Sequence, residues 1–382
     1  MQSYWQHNDK VRPAWEDTSA SAPAANVIEI DARVVTPSVA RASFDIASAT
    51  EVPAAALTQF YERMYPARAA FLAAHWRWLY RIGAHDGATG PLVALDGETV
   101  IGHIGAIPMC LRAGEDTRPA VWDLDFAVLP EYQGRKVGTQ LMRVQREQYP
   151  LHVAFGNEKS AGAVTKIGWQ LSQETHSFQL LLRPECHPQF RHSKLAVVGQ
   201  SCGWITRRLW AARANQGSDL IVSPATVTEL ARFAQPPSDP ALHVARSTKF
   251  LHWRVLQHPQ ATEHCVLRFP VNAMTEYALL ARRSEQDGFR RLHLLSLMAE
   301  PFDANALARC FASVVRWCLS EDIHRVLFVT SRPAIARVAR TWFPLKRSLR
   351  FLAYAEDEAG WRYLTAHPHH WECLDSDFDL AV

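Results

Sequence analysis

Over the first 25 or so residues, charged, Ser, Ala and Pro positions mix with no apolar period, so residues 1–25 are expected to form a loosely ordered arm. From Ser43 the pattern sharpens. Ser43–Ala47 reads as a short strand, and apolar residues three or four apart predict helices over Ala54–Met64 and Ala67–Arg81. Strands are predicted at Leu92–Leu95, Thr99–Leu111 and Ala120–Leu129, with Asp-Gly and Ala-Gly turns between them. Helical spacing returns over Val137–Gln148 and Lys159–Ile167, separated by a strand at Leu151–Phe155 and followed by strands to about Leu182. Helices, an antiparallel meander and then strand–helix alternation predict an α/β (α+β) mixed sheet.

The pattern then repeats. His75-Trp76-Arg77-Trp78-Leu79 recurs as His252-Trp253-Arg254-Val255-Leu256, an offset of 177, and Val153-Ala154-Phe155 with Trp169 recurs as Val326-Leu327-Phe328 with Trp342, an offset of 173. Two anchors in the same order at nearly constant offset indicate a duplicated domain. The interval between the anchors is four residues shorter in the second copy. Residues 26–183 and 218–382 are the two expected domains. Residues 184–217 are a linker whose mildly amphipathic, basic stretch Leu195–Ala214 reads as a packed connecting helix; Gly199 and Gly203 argue against a helix lying on a membrane surface.

Length and composition narrow the class. At 382 residues, 48% hydrophobic and 21% charged, the chain can bury a sizeable core and is expected to hold two domains. A formal charge of +3 gives no support to a nucleic-acid partner. Seven scattered cysteines without a C-x-x-C pair point to reduced thiols, and neither a signal-like start nor a membrane-length apolar run is present, so the expected setting is cytoplasmic. His367, His369, His370, Cys373, Asp375, Asp377 and Asp379 have the right chemistry for zinc, but their spacing fits no recognised site, and no metal is expected.

The segment with the clearest chemistry is Val128-Leu-Pro-Glu-Tyr-Gln133-Gly134-Arg135-Lys136-Val137-Gly138-Thr139. A strand ends, a short loop with two glycines follows, and an amphipathic helix opens. Glycines let a ligand approach the backbone, and the unpaired N–H groups of a helix's first turn make an anion site suited to pyrophosphate. An ordinary strand-to-helix turn has the same local signature. In context, the segment resembles the hallmark Q/R-x-x-G-x-G/A of the GNAT acyltransferase superfamily. Gln133 and Gly138 fill the outer positions, Lys136 stands in place of the middle glycine, and Val128-Leu-Pro-Glu precedes the loop. Asn157 followed by Gly168-Trp169 matches a further family pattern.

That resemblance, over residues 43–183, implies a splayed sheet holding acetyl-CoA or another acyl-CoA. The backbone of Phe126, Ala127 and Val128 would pair with the pantetheine and polarise the thioester carbonyl. Gln133, Gly134, Arg135, Lys136, Val137, Gly138 and Thr139 would hold the pyrophosphate, and Asn157 would either sit near the pantetheine or cap a helix. The family's usual tyrosine acid is replaced by Val164. An attacking ammonium must lose a proton, and Asp125 and then Asp123 are the leading bases, with strand alternation placing both on one face. His103 and His75 are secondary candidates. In the second copy, Leu292–Met298 and Ala299–Asn305 contain no glycine, so that copy is expected to keep the shell and lack the CoA site. The whole resembles tandem GNAT proteins with a degenerate carboxy-terminal copy. The implied activity is N-acylation of a small molecule or amino sugar in a ternary complex. An acyl carrier protein as donor, or a non-catalytic scaffold, are the alternatives.

Overall fold

The computed structural model of the chain describes residues 44–82, 90–156, 162, 164–187, 196–234 and 240–376. The predicted arm at 1–25 and Asn157 lie outside these residues. The first half contains β1 (Asp45–Ser48), α1 (Ala54–Met64), α2 (Ala69–Leu79), β2 (Leu92–Asp96), β3 (Thr99–Ala113), β4 (Asp116–Val128), α3 (Val137–Arg146), β5 (Leu151–Gly156) and β6 (Gln170–Leu181). Then follow α4 (Ala196–Ala214), β7 (Ile221–Pro224), α5 (Val227–Leu230), β8 (His243–Val244) and α6 (Thr248–Leu251), which runs on as a π turn over His252–Leu256. The second half is completed by β9 (His264–Pro270), β10 (Glu276–Gln286), β11 (Phe289–Met298), α7 (Ala304–Ser320), β12 (Arg325–Thr330), α8 (Pro333–Trp342), β13 (Leu345–Ala355) and α9 (Glu358–Thr365). Of the helix predicted over Lys159–Ile167, the described residues Gly162 and Val164 are helical and Thr165–Ile167 follows as a single tight turn.

The strands form one mixed sheet of 13, in the order β1-β2-β3-β4-β5-β13-β6-β12-β11-β10-β9-β7, with β8 beside β3. Match β1 with β7, β2 with β9, β3 with β10, β4 with β11, β5 with β12 and β6 with β13, and the order reads the same from both ends. At its centre each half receives the other's last strand. β13 pairs antiparallel with β5 (Phe351 opposite Phe155) and with β6, while β6 pairs antiparallel with β12 (Phe178 opposite Phe328).

Large side chains bind the middle of the sheet. Phe351 stacks on Trp371 with centroids 4.6 Å apart, and Trp122 meets Phe155 and Trp371 at 5.1 and 5.9 Å. These rings belong to a buried core spanning both halves, and a second core lies under α7 and α8. The two copies of the His-Trp-Arg segment also meet. Trp78 Nε1 donates to the Trp253 carbonyl at 3.1 Å, and Trp253 Nε1 donates to the Trp78 carbonyl at 2.8 Å. Among the described residues, no helix is long and apolar enough to cross a membrane.

Candidate functional site

The first half opens where β4 leaves β5. These parallel strands pair only at Val121 with His152 and Trp122 with Val153. β13 lines the opposite edge of β5 along its whole length, and the β5-facing edge of β4 from Asp123 to Val128 has no strand partner among the described residues. On its other edge β4 stays paired, Ala127 with His103 and Val128 with Gly102, after a register shift between His103 and Gly105. Asp125 sits at this irregularity with φ of 49°. A β-bulge of this kind inserts a residue and re-aims its side chain.

The bulge overturns the expectation that Asp123 and Asp125 share a face, because strict alternation is lost between them. Asp123 turns toward β5 and α3, where its Oδ2 lies 2.8 Å from His152 Nδ1. Burial raises the Asp123 pKa, with His152 and Gln145 opposing the shift. His152 Nε2 donates to the Tyr149 carbonyl at 3.0 Å. With that nitrogen protonated, the bond to Asp123 holds one further proton, carried by an imidazolium or by the carboxyl group. Asp125 turns toward α1 and α2. Arg68 Nη1 donates to its Oδ1 at 2.7 Å and the Tyr80 hydroxyl donates to its Oδ2 at 2.9 Å. Its carbonyl accepts from His103 Nδ1 at 2.9 Å, leaving His103 Nε2 to accept from the Tyr61 hydroxyl at 3.4 Å.

This cluster is closed and buried, with Arg68 and Asp125 side chains 5% and 3% exposed. Burial, reinforced by the Asp125 charge, raises the Tyr80 and Tyr61 pKa values, so both phenols stay protonated donors. Desolvation lowers the His103 pKa and favours the neutral ring that its bonding pattern requires. Both predicted carboxylates are therefore already partnered. Arg68, Tyr80, Tyr61 and His152, which the sequence reading left out, complete their surroundings. Of the secondary candidates, His103 belongs to this cluster and His75 packs against Phe71, with ring centroids 5.2 Å apart. Val164, at the position of the expected tyrosine acid, is buried in the core.

The loop from Gln133 to Thr139 lies at the open end of β4. Gln133 Nε2 donates to the Val128 carbonyl at 3.2 Å and ties the loop to the strand. Gly134 has φ of 80°, and Lys136 precedes α3 with φ of 64°. Lys136 thus adopts the left-handed conformation that glycine takes readily, at a cost of about 1–2 kcal/mol for a side-chain-bearing residue. The substitution keeps the loop geometry and adds a cation. No side chain caps the start of α3, so the N–H groups of Val137, Gly138 and Thr139 lack an intrahelical partner. A Cβ placed on Gly138 would lie 3.0 Å from Phe126 Cζ, so glycine lets the helix start close against the strand end.

At the matching place in the second half, β11 pairs with β12 from Arg291 to Leu294 and then separates from it. The C-terminal segment enters this gap. Glu372 Oε1 accepts from the Leu297 N–H at 3.1 Å, its Oε2 accepts from the Ser296 hydroxyl at 2.6 Å, and Glu372 bridges to Thr330 of β12. Arg246 Nη1 lies 2.8 Å from Glu372, and Arg246 also makes a bidentate contact with Asp375. The helix that follows, α7, starts with Asp303 accepting from the Ala306 N–H at 2.8 Å. Among the described residues, no group of His, Cys, Asp or Glu is arranged to hold a metal ion.

Residues 54–155 match the model of the acetyltransferase (GNAT) family. No curated protein matches the chain in sequence. In fold it is similar to a GCN5-related N-acetyltransferase from Kribbella flavida, with 13% identity and a TM-score of 0.52, covering 82% of this chain and 71% of that one. A second likeness is to a GCN5-related N-acetyltransferase from Anabaena variabilis, with 10% identity and a TM-score of 0.50, covering 82% of this chain and 73% of that one. The β5-facing edge of β4 thus falls within the stretch that matches the acetyltransferase (GNAT) family model, and the fold around it is similar to that of these two structures.

Proposed function

We propose that the first half binds an acyl-CoA and transfers its acyl group to an amine of a small molecule or amino sugar by direct attack. The observation carrying this reading is the juxtaposition of a strand edge without a strand partner among the described residues, Asp123–Val128, with the uncapped helix start at Val137 just downstream. Pantetheine amides would pair along Phe126–Val128, and an N–H of that strand would polarise the thioester carbonyl as negative charge develops on its oxygen. Pyrophosphate would accept from the N–H groups of Val137–Thr139, with Arg135 and Lys136 beside it.

The amine nitrogen attacks the thioester carbon, the C–S bond breaks, the thiolate leaves with CoA, and the ammonium proton is released. Asp125 is fully engaged by Arg68 and Tyr80, which supports a positioning role: it holds the bulge and thereby the direction of the strand's N–H groups. Holding the reacting groups in place and polarising the carbonyl then supply most of the acceleration. With valine at the position of the family's tyrosine acid, the thiolate would leave as such or take its proton from water, and the ammonium proton would pass to solvent.

In the same reading the second half repeats the first without a CoA site. The palindromic strand order and the two His-Trp-Arg segments support the repeat, and the Glu372 plug and Asp303 cap support the loss. The working setting is the cytoplasm. Calorimetric titration with acetyl-CoA and longer acyl-CoAs, followed by assay of CoA thiol release with an amine panel, tests this. One site per chain and amine-dependent thiol release are expected. Binding without turnover would support the scaffold reading, which Asp123 and Asp125 being already bonded favours. Failure to bind any acyl-CoA, with acylation from a carrier protein, would assign that donor instead.

A further inference from the structure

The seam where the two His-Trp-Arg segments meet contains a cavity of about 540 Å³. Arg77, Trp78 and Arg81 line one side, and Lys249, His252 and Trp253 line the other; among the described residues no Asp or Glu lines it. A volume of this size suits a small organic ligand. The reciprocal Trp78–Trp253 hydrogen bonds fix both walls before any ligand arrives.

Arg81 is the telling residue. It lies two residues past the end of α2 with φ of 52°, in the left-handed region where glycine is at ease, so its backbone is strained. Its guanidinium lies over the Trp253 ring, 4.9 Å from the centroid, and donates to the Pro108 carbonyl, while its buried Nε has no hydrogen-bond partner. Desolvation works against its charge, and among the described residues no carboxylate offsets this. Arg77, in the last turn of α2, lines the same cavity, so two like charges share one wall. Strain, desolvation and like-charge repulsion at one wall are unfavourable for the free chain, and an anion between the walls relieves the last two.

We propose that this seam binds an organic oxyanion, its phosphate or carboxylate held by Arg77, Arg81 and Lys249 and its apolar portion against Trp78 and Trp253. The site draws on both halves of the chain and does not depend on the acyltransferase reading.

Calorimetric titration of the full chain with phenyl phosphate, benzoate and neutral phenol at low salt tests it. Phenyl phosphate or benzoate should bind, and whichever is tighter identifies the oxyanion; phenol should give no heat. Arg77 and Lys249 are exposed, so the double variant Arg77→Glu/Lys249→Glu should fold and bind the preferred anion at least tenfold more weakly. Lys346→Glu, a charge reversal elsewhere on the surface, should stay within twofold of the parent chain. The proposal is overturned if neither anion binds the parent chain, or if the double variant binds as the parent does.

Discussion

Two helix starts, α3 and α7, stand at matching places in the palindromic sheet and are built in opposite ways. At α3 a left-handed Lys136 and an uncapped first turn leave N–H donors facing outward; at α7 the Asp303 carboxylate already accepts from such a donor. The strand gaps beside them differ in the same sense. The edge of β4 has no strand partner among the described residues, whereas that of β11 is met by Glu372. In the second half the chain supplies its own anions at the two positions where the first half would accept a ligand. A fold of this kind can lose a binding site without leaving buried donors unsatisfied, because capping and plugging replace what the ligand would provide.

The largest effect is expected from removing the plug's charge. Burial alone would raise the Glu372 pKa, but Arg246, His370 and the Ser296 hydroxyl outweigh it and hold the carboxyl well below its usual range. Such a group contributes stability that is complete above the unfolded-state value, about 4.3, and is lost as pH falls through the folded value. Glu372→Gln should therefore lower unfolding free energy by about 3 kcal/mol at pH 7. In urea melts the difference should be level down to roughly pH 4.5 and narrow in stronger acid. A difference that vanishes already at pH 6 would show that the plug's charge is not what holds the gap shut.

Next comes the open helix start. Gly138→Asp places a carboxylate at the free N–H groups and a Cβ against Phe126, in effect giving α3 the anion that α7 has. Acyl-CoA affinity should fall at least a hundredfold, about 2.7 kcal/mol, by calorimetry. An unchanged dissociation constant would move the CoA site elsewhere.

Asp125→Asn should lower turnover by roughly tenfold, about 1.4 kcal/mol, with acyl-CoA affinity and the acidic limb of the pH–rate profile both unchanged. General-base catalysis is commonly worth about 10²–10⁴-fold. A loss of that size together with disappearance of the acidic limb would return Asp125 to the role of base. The smallest change is expected at the loop itself. Lys136→Gly relieves a left-handed side-chain-bearing residue and should raise stability by up to about 1 kcal/mol, while acyl-CoA affinity falls only a few fold through loss of one cation.

Legibility in the sequence followed the distance over which each feature is encoded. The loop at Gln133–Thr139 was readable because strand end, glycines and helix start are contiguous, and strands β2 to β5 emerged from local periodicity. The bulge at Asp125 was not, because its register shift depends on pairing with β3 and leaves no mark in the alternation of Trp122-Asp-Leu-Asp125. Glu372 does not stand out in the sequence because its partner Arg246 is remote in the chain, and Arg68 carries no pattern distinguishing it from a surface arginine. The insertion of β13 between β5 and β6 is a purely non-local choice: strand propensity says that a strand forms, and says nothing about which neighbour it takes.

That insertion has a consequence for how the chain can be cut. A clip within residues 188–195 would sever the polypeptide, yet the pieces would still be laced together by β13 on one side and β6 on the other, and should co-purify. A gene truncated at the same point would produce a first half whose β5 has lost its neighbour and whose β6 has no place in a sheet, with bare edges inviting aggregation. The two halves are thus heritable only as a pair: a lesion in the last strand of one is felt first in the sheet of the other.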